Sequence, residues 1–207
     1  MNQALALLEF GNVSVGILAV DRMLKQSPVA VLRCGSVHPG RYLALVGGSV
    51  ASTEEAHGAG AAVGCEKSAL VDEVLLPDPH PLLQSAVMGD RTAPVGEAVG
   101  ICEVSTSPGL LRTVDAVLKS LPVGLVEIRL ADDLGGHALA VFDGLLPDVQ
   151  EALELAAERL GSSAQILGSV LLPRVDDTLR DVLAAGTRFG SCRNWTPAGA
   201  EILKVGE

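Results

Sequence analysis

Few side chains in this sequence are placed to do chemistry; those that are include His38, the pair Asp132-Asp133 and four cysteines. His38 stands in the turn-forming run Val37-His38-Pro39-Gly40. A neutral imidazole there is either a ligand for zinc, copper or nickel, or a polar surface group that bonds water. Asp132 and Asp133, with Ala131 before them and Leu134-Gly135 after, would favour cations over anions through a field that salt screens. The same dipeptide ahead of Leu-Gly-Gly is equally a common exposed turn. Cys34, Cys65, Cys102 and Cys192 form no C-x-x-C pair and read as buried, inert free thiols, with Cys34, four residues before His38, worth separate scrutiny. No Ser/His/Asp or Cys/His set and no glycine-rich phosphate loop of nucleotide-binding spacing is evident. No catalytic residue is assigned, and the chain is not read as an enzyme.

The elements that must position these residues occur twice. Ala4-Leu5-Ala6-Leu7-Leu8-Glu9 recurs as Ala98-Val99-Gly100-Ile101-Cys102-Glu103, a shift of 94 residues, and Val74-Leu75-Leu76-Pro77 recurs as Val170-Leu171-Leu172-Pro173, a shift of 96. The two extra residues fall between Leu130 and Gly136. Such a period is the length of a small domain rather than of a solenoid repeat, so the chain is a tandem duplication. We divide it into a first domain (1–93), a second (94–186) and a C-terminal extension (187–207).

Within the first copy, Ala4–Phe10 is a near-continuous apolar run that reads as a buried strand. Ile17, Val20 and Leu24 mark a helix ending before Pro28. Two β-rich stretches around Pro39-Gly40 make a hairpin. Ser52-x-x-Glu55 predicts a capping box for a second helix reaching about Val63, and Gly58 and Gly60 on it predict close approach of a neighbouring backbone. Leu70–Leu76 is the last strand, with a short helix after Pro81. The second copy repeats the plan, and β-α-β-β-α-β is the split βαβ, or ferredoxin-like, arrangement of the α+β class.

Composition limits the function. The net charge of −10 and only 2% aromatic residues argue against nucleic acid, which needs a basic face and stacking surfaces. No apolar stretch is long enough to span a membrane, and Met1-Asn2-Gln3 leads into the first strand with no visible secretory signal.

The ordered set A-L-A-L-L-E-F, V-D-R-M-L-K, S-V-H-P-G-R-Y-L-A-L-V-G-G and V-L-L-P, repeated as V-G-I-C-E-V, V-D-A-V-L-K and G-G-H-A-L-A-V-F-D-G, resembles the tandem-domain shell proteins of bacterial microcompartments. The resemblance covers roughly residues 4–185 and is to the single-layer, unpermuted type. It implies a homotrimer forming a flat pseudohexagonal disc, tiled edge to edge with other shell proteins, hexamers and pentamers among them, in a cytoplasmic microcompartment. A central pore would pass small metabolites. It places Val37, His38, Pro39 and Gly40, with Asp132, Asp133, Leu134 and Gly135, around that pore. Three His38 imidazoles on the axis would then be positioned for a metal ion, against the plainer reading as polar lining. Several relatives hold an iron–sulfur cluster through a cysteine at this position; histidine here disfavours one.

The resemblance further assigns Lys25 and Lys119 to the disc edge, although a lysine in a last helical turn is also favourable against the helix dipole. Arg174 matches an arginine that docks into the neighbouring disc, Asp78 replaces it in the first copy, and His80 is assigned to the same edge. The tail carrying Trp195 either folds on the disc face, recruits a partner or is a poorly ordered terminus. The alternative to a shell tile is a trimeric ferredoxin-like sensor that binds a small molecule between subunits.

Overall fold

The computed structural model describes residues 4–131 and 133–191, together with Trp195 and Pro197. Asp132, Cys192 and most of the C-terminal extension lie outside the described residues. Each repeat forms a four-stranded antiparallel sheet. The first comprises β1 (Ala4–Phe10), β2 (Ala30–Val37), β3 (Arg41–Gly48) and β4 (Leu70–Leu76), in the order β2-β3-β1-β4. The second comprises β5 (Ala98–Val104), β6 (Gly124–Leu130), β7 (Ala138–Gly144) and β8 (Ile166–Leu172), in the equivalent order β6-β7-β5-β8. Helices α1 (Val13–Gln26) and α2 (Val50–Glu66) cover one face of the first sheet; α4 (Ser107–Ser120) and α5 (Leu146–Arg159) cover the second. Short helices α3 (Pro81–Met88) and α6 (Asp177–Ala185) follow the last strands. This is the expected α+β, twice-ferredoxin-like architecture.

β1 shows no polar alternation because both of its faces are covered. Ala6, Leu8 and Phe10 pack with Ala19, Met23 and Ala56 of α1 and α2. Leu5 and Leu7, pointing the other way, join a core that continues through Leu83 of α3 into Leu110, Leu111, Val114 and Val117 of α4. The two domains therefore share one apolar core. α4 lies between them, packed on α5 and β5 of its own domain and on β4 and β1 of the first.

Two local expectations are corrected. The second helix is capped by Ser49, whose hydroxyl accepts the Ser52 amide at 3.2 Å, so the Ser52–Glu55 capping box does not form. β3 ends at Gly48, and the first hydroxyl after the strand takes the cap, placing Ser52 inside the first turn; the helix then runs to Glu66 rather than Val63. Gly60 does admit a close neighbour, but it is a side chain: a Cβ there would lie 2.8 Å from Met23 Sδ and 3.2 Å from Leu8. Gly58 faces open space.

Candidate functional site

The two β-hairpin tips lie together. Val37 closes β2, the Gly40 amide donates to the Val37 carbonyl at 3.0 Å, and His38, Pro39 and Gly40 are exposed. The longer second tip needs left-handed backbone at Ala131 (φ +56°) and Asp133 (φ +61°) before Gly135 and Gly136. It is closed by amides of Leu134 and His137 donating to the carbonyls of Ala131 and Leu134. A Cβ on Gly136 would stand 3.1 Å from Pro39, which measures how closely the tips approach. Ala131 is fully buried, whereas Asp133 is exposed and 3.8 Å from the Arg188 guanidinium. Asp132 lies outside the described residues, so the paired-carboxylate reading rests on Asp133.

His38 at the tip brings an imidazole and no thiol, a donor set that does not fit an iron–sulfur cluster. Among the described residues of one chain, no three His, Cys, Asp or Glu side chains converge to hold a metal ion. Of the three cysteines among the described residues, only Cys102 meets the expectation of a buried thiol, and burial pushes its pKa up to about 11. Cys34 and Cys65 are exposed, a correction that follows from β2 being an edge strand and from Cys65 lying in the outward last turn of α2.

Behind the tips is a polar junction that sequence reading missed. Glu9, the one acidic residue of β1, is fully buried beneath the second domain. Its carboxylate accepts from Arg41 at 2.5 Å and from the Ser107 amide in the first turn of α4 at 2.9 Å. Burial raises the Glu9 carboxyl above its ordinary range, opposed by the Ser107 amide and the Arg41 guanidinium. Arg41 also donates to the carbonyls of Ser105 (3.2 Å) and Gly136 (3.4 Å). Further along the junction, Thr106 Oγ1 donates to Asp72 at 2.6 Å, while Arg112 reaches Asp72 and the carbonyls of Glu73 and Leu160. The available signal was a carboxylate at matched repeat positions, Glu9 and Glu103, inside otherwise apolar strands.

The matched set in the second domain is left open. Glu103 and His137 stand where Glu9 and Arg41 do in the first, 3.1 Å apart, but both side chains are 40% or more exposed. The same contrast runs along the helices. Leu111 and Leu118 of α4 are buried, whereas their α1 counterparts Ile17 and Leu24 are 55% and 48% exposed. Val74 of β4 is buried and its counterpart Val170 of β8 is 49% exposed.

The sequence-assigned edge residues divide into two groups. Lys25 is exposed and pairs with Asp21 at 2.7 Å; Lys119 pairs with Asp115 at 2.6 Å. His80 caps α3, its ring nitrogen accepting the Leu82 amide, and its own amide donates to Asp115 at 2.8 Å. Lys119 and His80 thus gather at Asp115, while Asp78 and Arg174 are exposed just beyond β4 and β8.

Comparison with known proteins agrees with this architecture. The BMC domain matches twice, over residues 4–79 and 98–175. The chain is 29% identical to the bacterial microcompartment shell protein PduT of Citrobacter freundii, over 86% of this chain and 96% of that protein. It is 24% identical to the carboxysome assembly protein CcmO of a Synechocystis strain, over 90% of this chain and 66% of that protein. A microcompartment protein from Desulfitobacterium hafniense superposes with a TM-score of 0.72 at 28% identity, covering 87% of this chain and 99% of that one. With two BMC-type sheets in series joined by one core, the chain belongs to the BMC domain family of bacterial microcompartment shell proteins, in its tandem-domain class.

Proposed function

We propose that three copies of this chain close head to tail into a pseudohexagonal tile of a microcompartment shell, with the hairpin tips at its centre. The observation that carries this reading is the contrast between matched surfaces. Inside one chain, the α4 face that carries Leu111 and Leu118 is buried against the β1–β4 side of the first sheet. The counterparts are complementary to each other: the exposed α1 face of one copy (Ile17, Leu24) would fit the β5–β8 side of the next, where Val170 is exposed and Ile101 and Leu172 are half-buried. A heterologous contact of this kind forms a ring if its rotation closes. Each join would repeat the internal one, with Glu103 accepting the Val13 amide of the copy whose α1 packs beside it, as Glu9 accepts that of Ser107.

In this tile, residues 1–93 and 94–186 are the two alternating domains, and Lys25, Lys119, Asp78, His80 and Arg174 serve contacts with neighbouring shell proteins. The central opening would be lined by His38 and Asp133 and pass small metabolites; its role is structural and not catalytic. Sedimentation of the purified chain tests the join. Wild type should run at three times the 21.3 kDa chain mass. Ile17→Asp, which places a charge on a face to be buried, should run as a folded monomer. A monomeric wild type, or a trimeric Ile17→Asp, would overturn the reading.

A further inference from the structure

A cavity of about 620 Å³ opens between the two domains, on the sheet faces turned away from α1, α2, α4 and α5. Its floor is apolar, built from Leu7, Leu43 and Leu45 of the first sheet and Ala86 and Val87 of α3. Its walls come from the edge strands β2 and β6, from the 89–91 connection and from Arg188 after α6.

The charge on those walls is opposite to that of the protein. Among the described residues, four guanidinium groups, Arg33, Arg91, Arg129 and Arg188, and two carboxylates, Asp90 and Glu127, line the cavity, in a chain of net charge −10; Arg188 also stands 3.8 Å from Asp133. Glu127 is itself engaged, bridged to Arg91 and accepting from Thr187 Oγ1 at 3.1 Å. The arginines are held by the fold: Arg33 donates to the Met88 carbonyl at 2.5 Å, Arg91 to that of Ala185 at 3.3 Å and Arg129 to Thr187 Oγ1 at 3.1 Å. A guanidinium carries five N–H donors in a fixed fork that suits carboxylate and phosphate oxygens. Duplication does not account for the arrangement. The strand registers match Arg33 to Glu127 and Gly35 to Arg129, so each edge strand supplies its cation at a position where the other copy has none.

We infer that this cavity is a binding site for a small organic anion: a carboxylate or phosphate head group held by Arg33 and its neighbouring arginines, with a short carbon chain on the leucine floor. The volume is in the range of small-molecule sites, and the mixture of apolar floor and a few convergent polar groups is their usual composition. The site lies within one chain, so the inference stands whether or not the chain forms a trimer.

Calorimetry on the full-length protein tests it, with butyrate and glycerol phosphate as the two anionic probes and butyramide as the neutral control. The expected result is saturable binding of at least one anionic probe, one per chain, weakening as salt rises, with butyramide silent. Whether the carboxylate or the phosphate binds tighter identifies the head group. Arg33→Gln retains a donor for the Met88 carbonyl while removing the charge, and should weaken binding tenfold or more. Arg33→Lys should restore part of it, and Lys25→Ala should leave it unchanged. Absence of saturable binding by both anions, equal binding of butyramide, or full affinity in a folded Arg33→Gln protein would overturn the inference.

Discussion

At the scale of residues, the most consequential group is Glu9, which sequence reading passed over as one polar letter in an apolar strand. Its carboxylate is fully buried and joined to Arg41 and to the first turn of α4. Removing the carboxylate leaves the buried Ser107 amide without its acceptor and takes one partner from the part-exposed Arg41, so Glu9→Ala should cost about 2 kcal/mol in urea unfolding. A loss under about 1 kcal/mol would mean that water replaces the carboxylate, and the junction would not depend on it. His57 gives a pH prediction. Burial lowers its pKa below the ordinary 6.5, opposed by the carboxylates of Glu73, 3.3 Å away, and Glu54. A lowered folded-state value means the unfolded chain binds the proton more readily, so stability is retained above the ordinary value and lost as pH falls below it. The urea midpoint should therefore drop between about pH 7.5 and 5.5, and His57→Gln should drop less over the same interval. Equal slopes for the two proteins would remove His57 as the cause.

At the scale of elements, the sequence displayed strands and helices clearly because each has a strong local pattern: the apolar run Ala4–Phe10, the Leu70–Leu76 strand and the helical spacing of Ile17, Val20 and Leu24. Caps and glycine roles were less legible. Ser49 and Ser52 are both competent caps, and only the end of β3 at Gly48 chooses between them. Gly58 and Gly60 look alike in the sequence, yet one faces open space and the other faces Met23. Gly58→Ala should therefore raise stability by up to about 1 kcal/mol through helix propensity alone. Gly60→Val should lower it by about 2 kcal/mol, because the fully buried Met23 must give way. Thermal unfolding of the two variants checks the pair, and stabilisation by both would show that α1 and α2 are not in close contact at Gly60.

At the scale of the whole molecule, the proposed trimer would use the internal junction as the template for the join between copies, and the edge lysines would then decide whether tiles extend into sheets. Lys25 is exposed and pairs with Asp21, and Lys119 stands beside His80 and Asp115. Lys25→Ala with Lys119→Ala should abolish extended sheets in electron micrographs while sedimentation still reports the trimer. Sheets of wild-type appearance in the double variant would exclude the lysines as edge determinants. The sequence alone determined the duplication, the order of elements and the two hairpin tips, since these depend on short-range periodicity, turn chemistry and comparison of one copy with the other. Only the tertiary structure decided that α4 is buried on two sides while α1 keeps Ile17 and Leu24 exposed, that Glu9 is sealed while Glu103 stays open, and that Arg33, Arg91, Arg129 and Arg188 share one cavity. Those facts are set by contacts between groups far apart in the chain, and such contacts leave no local pattern: the same strand and helix letters serve a buried interior face and a face left exposed on the chain.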